Sequence, residues 1–588
     1  MPSLIPASVR KVAFRLEAPA PITADAVPLK LRLLREGTRD PLDTLEIKLS
    51  VAKPENTHKR TFISDIDGSV QYYSLVPAKP TPDVKKPGLA LTLHGASVEA
   101  AGQAACYAPK PGIHVVAATN RRPFGFDWED WGRLDALEVF EHARRTLDTD
   151  PQRTYLTGHS MGGHGTWHLG VTYPDRFAAI APSAGWVSMW SYAGMRKDPS
   201  SAGEQELVLR AANPSDTLAL VRNLAGSGVY VLHGDADDNV PVEQARMMRK
   251  VLAEFHPDFV YREKPKAGHW WGNECVDWPP IFEFFENHQL PKLATVRHVE
   301  FHTANPRVSA DSHWLRVEAQ EKPFLFSKGD FTCEPEKQLF KGTTQNITRL
   351  SLGLDPLPAG KPLRVEIDGQ KVAEIPWPKG EARVWLARDG ENWTVIEKPG
   401  AGVKGPHRNG AFKDALRNRV LFVYGTKGNP AENAWALAKA RYDAEVFWYR
   451  GNGSIDIIAD TRFDPKAEPD RNVILYGHAG MNAAWKPLFG DSPVEVRTDS
   501  VKVGERQTKG DALGVLVVRP RASSDTALVA AVAGTGLKGL RAVERLPYFA
   551  SGVGYPDWLM LDTKGIVGAG YFANDWKLNG GESAWRKE

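Results

Sequence analysis

The chain has 588 residues, of which 42% are hydrophobic and 25% are charged, a composition typical of globular proteins. This composition excludes a wholly disordered, collagen-like or coiled-coil chain. There are 74 basic and 71 acidic residues, giving a net charge of +3, and no basic stripe indicates a nucleic-acid partner. The longest apolar runs, such as Ala527–Gly534, are about half the roughly 20 residues that a membrane span requires, so we expect no membrane partner.

The cysteines Cys106, Cys275 and Cys333 are scattered and odd in number. They indicate neither a disulfide framework nor a Cys-x-x-Cys site, although one disulfide stays open. Residues 1–11 lack the basic and apolar segments of a signal peptide. Localisation is therefore left open, with a periplasmic or secreted protein expected if a signal peptide has been removed.

Alternating polar and apolar residues predict an N-terminal β segment over 1–76, with strands at Val12–Leu16, Leu45–Leu49 and Val70–Leu75. Residues 77–290 then alternate apolar runs with segments of helical period. The predicted strands are 89–93, 113–118, 153–157, 177–181 and 229–233, and the predicted helices include 132–147 and 241–255. This alternation predicts a parallel α/β domain with right-handed crossovers.

The helical period disappears over 291–400, where runs such as Trp314–Glu318 and Leu363–Ile367 predict a middle β domain. Residues 401–588 return to an α/β pattern, with strands predicted at 420–424, 446–449 and 473–476 and a helix at 430–444. No fixed-period repeat is visible. We therefore expect four parts, bounded at 76, 290 and 400.

The segment Gly158-His-Ser-Met-Gly162 lies between a predicted strand and a predicted helix. A serine becomes a nucleophile where it is exposed and paired with a base, and a sharp strand-to-helix turn exposes it. A helix that starts at the serine also directs amides toward developing negative charge. We therefore predict that Ser160 is a nucleophile; the alternative is a structural glycine-rich turn.

An acid and a histidine follow in chain order. Asp237 lies in a turn after strand 229–233, and His269 lies in a glycine-flanked loop. Serine, acid, histidine is the order found in α/β hydrolases, which makes His269 the predicted base and Asp237 the acid that orients it. Asp238 is the main competitor for the acid, and a turn-capping aspartate or an ordinary loop histidine are the alternatives.

Backbone donors for the oxyanion are predicted beside the nucleophile. Leu93-His-Gly-Ala96 ends an apolar strand, and Met161 directly follows Ser160. Acyl transfer needs two such donors, and we assign them to the amides of Ala96 and Met161.

With these motifs, residues 89–290 resemble the α/β-hydrolase superfamily, and within it the catalytic domain of prolyl-oligopeptidase-like serine hydrolases and related esterases. The resemblance covers about a third of the chain. In such proteins the pattern Gly-x-x-Asp-x-x-Val carries the acid, and here it falls on Gly234, Asp237 and Val240. The resemblance thus implies an α/β-hydrolase domain over 77–290 with a triad of Ser160, Asp237 and His269.

The chain departs from the peptidases of this group in two respects. The residues before position 89 are too few for the β-propeller that such peptidases usually carry. The pair His159 and Met161 around the serine is common among esterases and lipases. Both departures favour ester hydrolysis over peptide hydrolysis.

Aromatic and basic residues follow several of the predicted strands. Since ligands bind at the carboxyl ends of strands in an open parallel sheet, we predict a substrate-binding role for Arg121, Arg122, Trp128, Trp131, Trp186, Trp270 and Trp271. Aromatic side chains suit a planar acyl group or a sugar ring. Packing within the loops is the alternative for each aromatic residue, and structural ion pairs are the alternative for the arginines.

Other motifs carry less chemistry. His164 and His168 are spaced for a metal on a helix, but with no third ligand evident we expect packing and no metal. Gly477-His-Ala-Gly480 has alanine where an elbow needs serine, and Gly425–Gly428 lacks the spacing of a phosphate loop. The last α/β domain is therefore predicted to be non-catalytic.

The sequence thus predicts a multidomain serine hydrolase that needs no cofactor and acts on a small-molecule or glycan ester. The expected substrate is a carbohydrate-linked or aromatic-acid ester, of the acetyl or feruloyl type. One alternative is a serine peptidase of the prolyl-oligopeptidase type. Another is a glycan-binding protein without activity, which the four motifs together disfavour. The oligomeric state is not predicted.

Overall fold

A computed structural model describes residues 5–6, 8–18, 21–82, 84–192 and 201–587 of the chain. Near the N-terminus, β1 (Ala26–Leu34) and β2 (Pro41–Ser50) pair as an exposed antiparallel hairpin. The strand predicted at Val12–Leu16 is wrong, because these residues form no strand and the side chains of Phe14 and Leu16 are exposed. An alternating pattern becomes a strand only where a neighbouring strand completes its hydrogen bonds.

The next strands are β3 (His58–Ile63), β4 (Val70–Val76), β5 (Gly88–Leu93), β6 (Ile113–Ala117), β7 (Thr154–His159), β8 (Ala179–Ser183), β9 (Gly228–Gly234) and β10 (Phe259–Lys264). They form one sheet in the order β10-β9-β8-β7-β5-β6-β4-β3. The strands from β5 onward pair in parallel, which confirms the predicted α/β domain. β3 and β4 are antiparallel additions at one edge, so the sheet starts before the boundary predicted at residue 77.

Helices cover both faces of this sheet: α1 (Ala100–Ala105), α2 (Asp130–Leu147), α3 (Met161–Thr172), α4 (Met189–Tyr192), α5 (Glu204–Arg210), α6 (Thr217–Leu220), α7 (Glu243–Leu252) and α8 (Pro279–Glu286). α3 is buried along its whole length and packs against β7 and β8. The two helices predicted at 132–147 and 241–255 correspond to α2 and α7. The layers place the C-terminal ends of β5, β7, β8 and β9 at one rim of the sheet, where loops can converge.

The middle region, for which the sequence predicts a β domain, contains two five-stranded sheets that share one core. Its strands are β11 (His298–Thr303), β12 (Asp311–Ser312), β13 (Leu315–Gln320), β14 (Ser327–Glu334), β15 (Leu339–Gln345), β16 (Ile347–Gly353), β17 (Arg364–Ile367), β18 (Gln370–Lys371), β19 (Arg383–Asp389) and β20 (Asn392–Ile396). One sheet has the order β11-β14-β15-β17-β18 and the other β12-β13-β16-β19-β20. Phe331 of the first sheet and Leu350 of the second belong to one hydrophobic core.

The last domain contains α9 (Pro430–Gly451), α10 (Trp485–Phe489) and α11 (Leu537–Ala542), and the strands β21 (Leu421–Tyr424), β22 (Asp456–Ala459), β23 (Val473–Tyr476), β24 (Val494–Val496), β25 (Ser500–Val503), β26 (Arg506–Lys509), β27 (Gly514–Pro520), β28 (Leu528–Gly534), β29 (Trp558–Asp562), β30 (Gly565–Tyr571) and β31 (Glu582–Trp585). The main sheet has the order β22-β21-β23-β28-β27-β29-β30-β31, and β24-β25-β26 form a second sheet. Among the described residues of the whole chain, no helix has the length and apolarity needed to cross a bilayer.

The strand predicted at 446–449 is wrong, because these residues belong to α9. The helix begins with a capping box, in which Asn429 accepts from the amide of Glu432 and the Glu432 carboxylate accepts from that of Asn429. Ala440, Ala444 and Phe447 are buried at helical spacing. A short apolar run is compatible with either a strand or a buried helix, and here the upstream cap and the spacing decide for the helix.

Candidate active site

Ser160 occupies a sharp turn between β7 and α3, with φ 59° and ψ −119°. A Cβ on Gly162 would lie 1.9 Å from the carbonyl oxygen of Leu93, and one on Gly158 would lie 2.4 Å from the carbonyl oxygen of Gly162. The turn is therefore too tight for side chains at these two positions. The strained turn, flanked by glycines, holds the serine at the end of β7 as a nucleophile elbow does.

Ser160, His269 and Asp237 form one chain of hydrogen bonds. The Nε2 atom of His269 lies 2.8 Å from the Oγ atom of Ser160, and its Nδ1 atom lies 2.8 Å from Oδ2 and 3.0 Å from Oδ1 of Asp237. The carboxylate is fully buried, whereas the His269 side chain keeps 17% of its surface exposed. Such an arrangement lets the imidazole take the serine proton while the carboxylate orients its ring.

The environment of Asp237 keeps its carboxylate ionised. Burial opposes the charge, but hydrogen bonds from His233, His269 and the amides of Asn239 and Val240 together hold the pKa of Asp237 below its usual range. Both amides lie 2.9 Å from Oδ1.

The neighbouring acids have other positions. Asp235 accepts a hydrogen bond from the backbone amide of Lys266, and the side chain of Asp238 is exposed. The structure thus brings Asp237, and neither of these competitors, to the histidine.

Two further histidines support the hydrogen-bonded triad, and the sequence analysis assigns neither of them a role in the site. His233, the next-to-last residue of β9, places Nε2 3.2 Å from Oδ2 of Asp237 and 2.9 Å from the carbonyl oxygen of Val240. The Nε2 atom of His159 lies 2.8 Å from the carbonyl oxygen of His269. Burial, and then the nearby His269, lower the pKa of His159 to about 3, so this imidazole is neutral and donates through Nε2.

A usable signal existed for each of these histidines. His159 is adjacent to the nucleophile, and His233 is four residues before the acid at the end of a strand. Neither position reveals from the sequence alone where the ring points.

The two predicted oxyanion donors lie beside the serine. Met161 is the first residue of α3, so its amide has no partner within the helix. Ala96 follows Gly95, whose added Cβ would lie 3.3 Å from the Cβ atom of Ser160. No hydrogen bond among the described residues uses the Ala96 amide. Their assignment as the oxyanion donors stays a prediction.

Three of the predicted substrate-binding residues are internal, and the prediction is corrected for them. Arg121 is buried, and its guanidinium lies 2.7 Å from Oδ2 of Asp67. Trp128 is fully buried and donates its indole N–H to the carbonyl oxygen of His94. Trp131 donates to the carbonyl oxygen of Leu416, in the core of the last domain. These side chains hold the loop in place and are not exposed to a substrate.

The other four lie at different depths. Arg122 donates to the carbonyl oxygen of Trp448 and stacks on that indole. Trp186 is buried and stacks on His164, with ring centroids 5.0 Å apart. Trp271 is half-buried. Trp270 is 49% exposed, and its ring centroid lies 5.1 Å from that of His159. Only Trp270 among them combines wide exposure with a place beside the triad.

His164 and His168 have protein partners. The Nε2 atom of His164 lies 3.3 Å from a carboxylate oxygen of Glu129, and that of His168 lies 3.4 Å from the guanidinium of Arg133. Both imidazoles are buried in α3. A guanidinium against His168 suits packing rather than a cation.

Residues 109–288 match the prolyl oligopeptidase family. An uncharacterized secreted protein of Arthroderma benhamiae is 25% identical over 97% of this chain, and the chain spans 65% of its length. A thermostable esterase matches with a TM-score of 0.31 and 21% identity, over 42% of this chain and 68% of its own. The acylaminoacyl peptidase of Pyrococcus horikoshii matches with a TM-score of 0.31 and 17% identity, over 41% of this chain and 43% of its own. With the family match, the sheet order and the elbow, the chain contains an α/β-hydrolase catalytic domain similar to that of prolyl oligopeptidases.

Proposed function

We propose that the chain is a serine hydrolase that cleaves carboxylic esters. The observation that carries the proposal is the hydrogen-bonded chain from Ser160 through His269 to Asp237, at distances of 2.8 Å for each link. A serine that is held in a strained turn, with a buried acid behind its base, has the parts that acyl transfer requires.

In the first half of the reaction, the Oγ atom of Ser160 attacks the ester carbonyl and its proton passes to Nε2 of His269. The amides of Met161 and Ala96 hold the oxyanion. The C–O bond to the alcohol then breaks, and His269 gives its proton to the departing oxygen. In the second half, His269 takes a proton from water while the water oxygen attacks the acyl carbon. The bond between that carbon and Oγ of Ser160 then breaks, which releases the acid, and His269 gives its proton back to Oγ.

We further propose a carbohydrate-linked or aromatic-acid ester as the substrate. Support comes from exposed aromatic side chains on the loops around the triad. Phe124 is 65% exposed, Trp270 is 49% exposed and Tyr192 is 37% exposed, and the hydroxyl of Tyr192 donates to the carbonyl oxygen of Asn239 beside the acid. Exposed rings suit the flat faces of sugars and aryl groups.

A serine peptidase is the second candidate, and the match of 109–288 to the prolyl oligopeptidase family favours it. We also propose that the chain acts outside the cytoplasm, with support from its similarity to a secreted protein.

The test compares 4-nitrophenyl acetate with a peptide 4-nitroanilide, using the wild-type chain, Ser160→Ala and the exposed control Ser523→Ala. We expect ester turnover that falls by about 10⁴-fold or more in Ser160→Ala only. Anilide turnover comparable to ester turnover would support the peptidase instead. Ester turnover that survives in Ser160→Ala would overturn the mechanism.

A further inference from the structure

The loop between β6 and α2 is strained and borders the nucleophile. Positive φ angles occur at Asn120, Arg121, Asp127, Trp128 and Asp130. Residues other than glycine adopt a positive φ only when the surrounding structure holds them in it.

Hydrogen bonds from the side chain of Asn120 stabilise the backbone of this loop from within. Its side-chain oxygen accepts from the amides of Phe126 and Trp128, and its amide nitrogen donates to the carbonyl oxygen of Phe124. The same nitrogen lies 4.0 Å from the sulfur of Met161, the residue after the nucleophile. The side chain of Asn120 thus connects the backbone of the loop to Met161 in the nucleophile elbow.

The last domain holds this loop from the other side. Arg121 donates to the carbonyl oxygen of Gly451 at 2.7 Å, and Arg122 donates to that of Trp448 at 3.2 Å. A Cβ on Gly451 would lie 3.1 Å from the ring of Phe126. The C-terminal end of α9 therefore packs along the loop.

Contacts at the end of the loop also join it to residues outside the catalytic domain. Lys413 lies 2.7 Å from the carboxylate of Asp130, and Trp131 donates to the carbonyl oxygen of Leu416. Both partners belong to the segment that leads into the last domain. The loop is thus fixed along its length by residues outside the catalytic domain.

The loop is also continuous with the oxyanion site. The amide of Ser97 donates to the carbonyl oxygen of Pro123 at 3.1 Å, so Phe124 lies one residue beyond a direct contact with the Ala96 segment. The departing alcohol must lie at Nε2 of His269, because that atom gives it a proton. The acyl group leaves the carbonyl carbon on a different side from that alcohol, and the loop that carries Phe124 lies next to the Ala96 segment.

Two exposed aromatic side chains border the contact between the loop and α9. Phe124 lies two residues after Arg122 and is 65% exposed, and Tyr449 lies one residue after Trp448 and is 73% exposed. Such exposure of large rings next to a candidate active site suits a ligand with an apolar face.

We propose that Phe124 and Tyr449 form an acyl subsite that is shared between the catalytic domain and the last α/β domain and that takes an aromatic acyl group. The proposal rests on the proposed ester hydrolysis. It assigns the last domain a part in substrate selection, because the C-terminal end of α9 packs against the strained loop. Ring contacts of this kind affect discrimination between acyl groups more than the chemistry itself.

The experiment uses two esters with the same leaving group, 4-nitrophenyl acetate and 4-nitrophenyl cinnamate. It measures kcat/KM for the cinnamate divided by kcat/KM for the acetate. We expect this ratio to fall about tenfold in Phe124→Ala and about threefold to fivefold in Tyr449→Ala. Tyr442→Ala is the matched control, because Tyr442 is 60% exposed on the same helix, seven residues before Tyr449. Its ratio should equal that of the wild-type chain.

The outcomes separate the two proposals. A ratio that stays unchanged in both Phe124→Ala and Tyr449→Ala, with turnover still dependent on Ser160, overturns the acyl subsite and leaves ester hydrolysis standing. An equal fall in Tyr442→Ala also overturns it. Absence of Ser160-dependent turnover of both esters overturns the proposed function together with the subsite. Melting temperatures check that each variant is folded. We expect them to be unchanged, since all three side chains are exposed.

Discussion

Replacing Asp237 by asparagine tests whether the buried carboxylate orients His269. The Oδ1 atom accepts from the amides of Asn239 and Val240 at 2.9 Å each, whereas Oδ2 faces His269 at 2.8 Å and His233 at 3.2 Å. The oxygen of the new amide will keep the two backbone donors, which places its NH₂ group toward His269. The Nδ1 atom of His269 must then accept, so Nε2 carries the hydrogen and cannot take the proton of Ser160.

The magnitude follows from this change of tautomer. A triad that is held in the wrong tautomer loses about 10⁴ in kcat, which corresponds to roughly 5.5 kcal/mol of transition-state stabilisation. The assay is kcat/KM for 4-nitrophenyl acetate with Asp237→Asn. Asp238→Asn is the matched control, because it makes the same change at the next residue, where the side chain is exposed.

We expect Asp238→Asn to remain within about threefold of the wild-type chain, since an exposed side chain has little effect on the imidazole. A loss of less than tenfold in Asp237→Asn would show that the carboxylate does not control the tautomer of His269. An equal loss in Asp238→Asn would mean that the assignment of Asp237 as the acid of the triad is wrong.

Three further variants probe the fold around the site. Gly162→Ala should unfold more readily and lose activity, because its Cβ would lie 1.9 Å from a backbone oxygen, whereas nothing lies within 4 Å of a Cβ on the control position Gly226. Burial raises the pKa of Glu138 to about 7, so the folded chain holds a proton that the unfolded chain releases near pH 4.5, the ordinary pKa of a glutamate. The free energy of unfolding should therefore fall by about 3 kcal/mol as pH rises from 4.5 to 7, and Glu138→Gln should remove this part of the pH dependence. Lys404→Met should lower the free energy of unfolding by about 3–5 kcal/mol, because it leaves the fully buried carboxylate of Asp557 without its cation.

Denaturant unfolding and the acetate assay check all three. Normal activity and stability in Gly162→Ala would contradict the tight packing of the elbow. An unchanged slope of stability against pH in Glu138→Gln would contradict the raised pKa. A loss below about 1 kcal/mol in Lys404→Met would show that the pair is not desolvated.

The relative placement of Ser160 and Asp237 could be expected from the sequence, because each follows a predicted strand of one parallel sheet. For His269 the sequence analysis predicts only a glycine-flanked loop, and the structure adds the strand β10 before it. The carboxyl ends of such strands meet at one rim whatever the rest of the chain does. The same argument failed for Trp128 and Trp131, which also follow a strand. Their loop is covered by the last domain, and nothing in a local pattern shows which side of a loop another domain will cover.

Two other errors have the same origin in long-range contacts. The run at 446–449 belongs to a helix because α9 packs its buried face against the last domain. The segment 58–76 belongs to the catalytic sheet because β4 pairs with β6, about 40 residues later. The roles of His159 and His233 could not be predicted either, since they depend on hydrogen bonds whose geometry only the fold defines.

Labelling with a fluorophosphonate tests most directly whether Ser160 is a nucleophile, because the reagent reacts with a serine only when that serine is activated. Intact-mass and peptide mass spectrometry would be applied to the wild-type chain, Ser160→Ala and Ser523→Ala. We expect one adduct per chain on the peptide that contains Ser160, retained in Ser523→Ala and lost in Ser160→Ala. An unlabelled wild-type chain, or an adduct that persists in Ser160→Ala, would contradict this expectation.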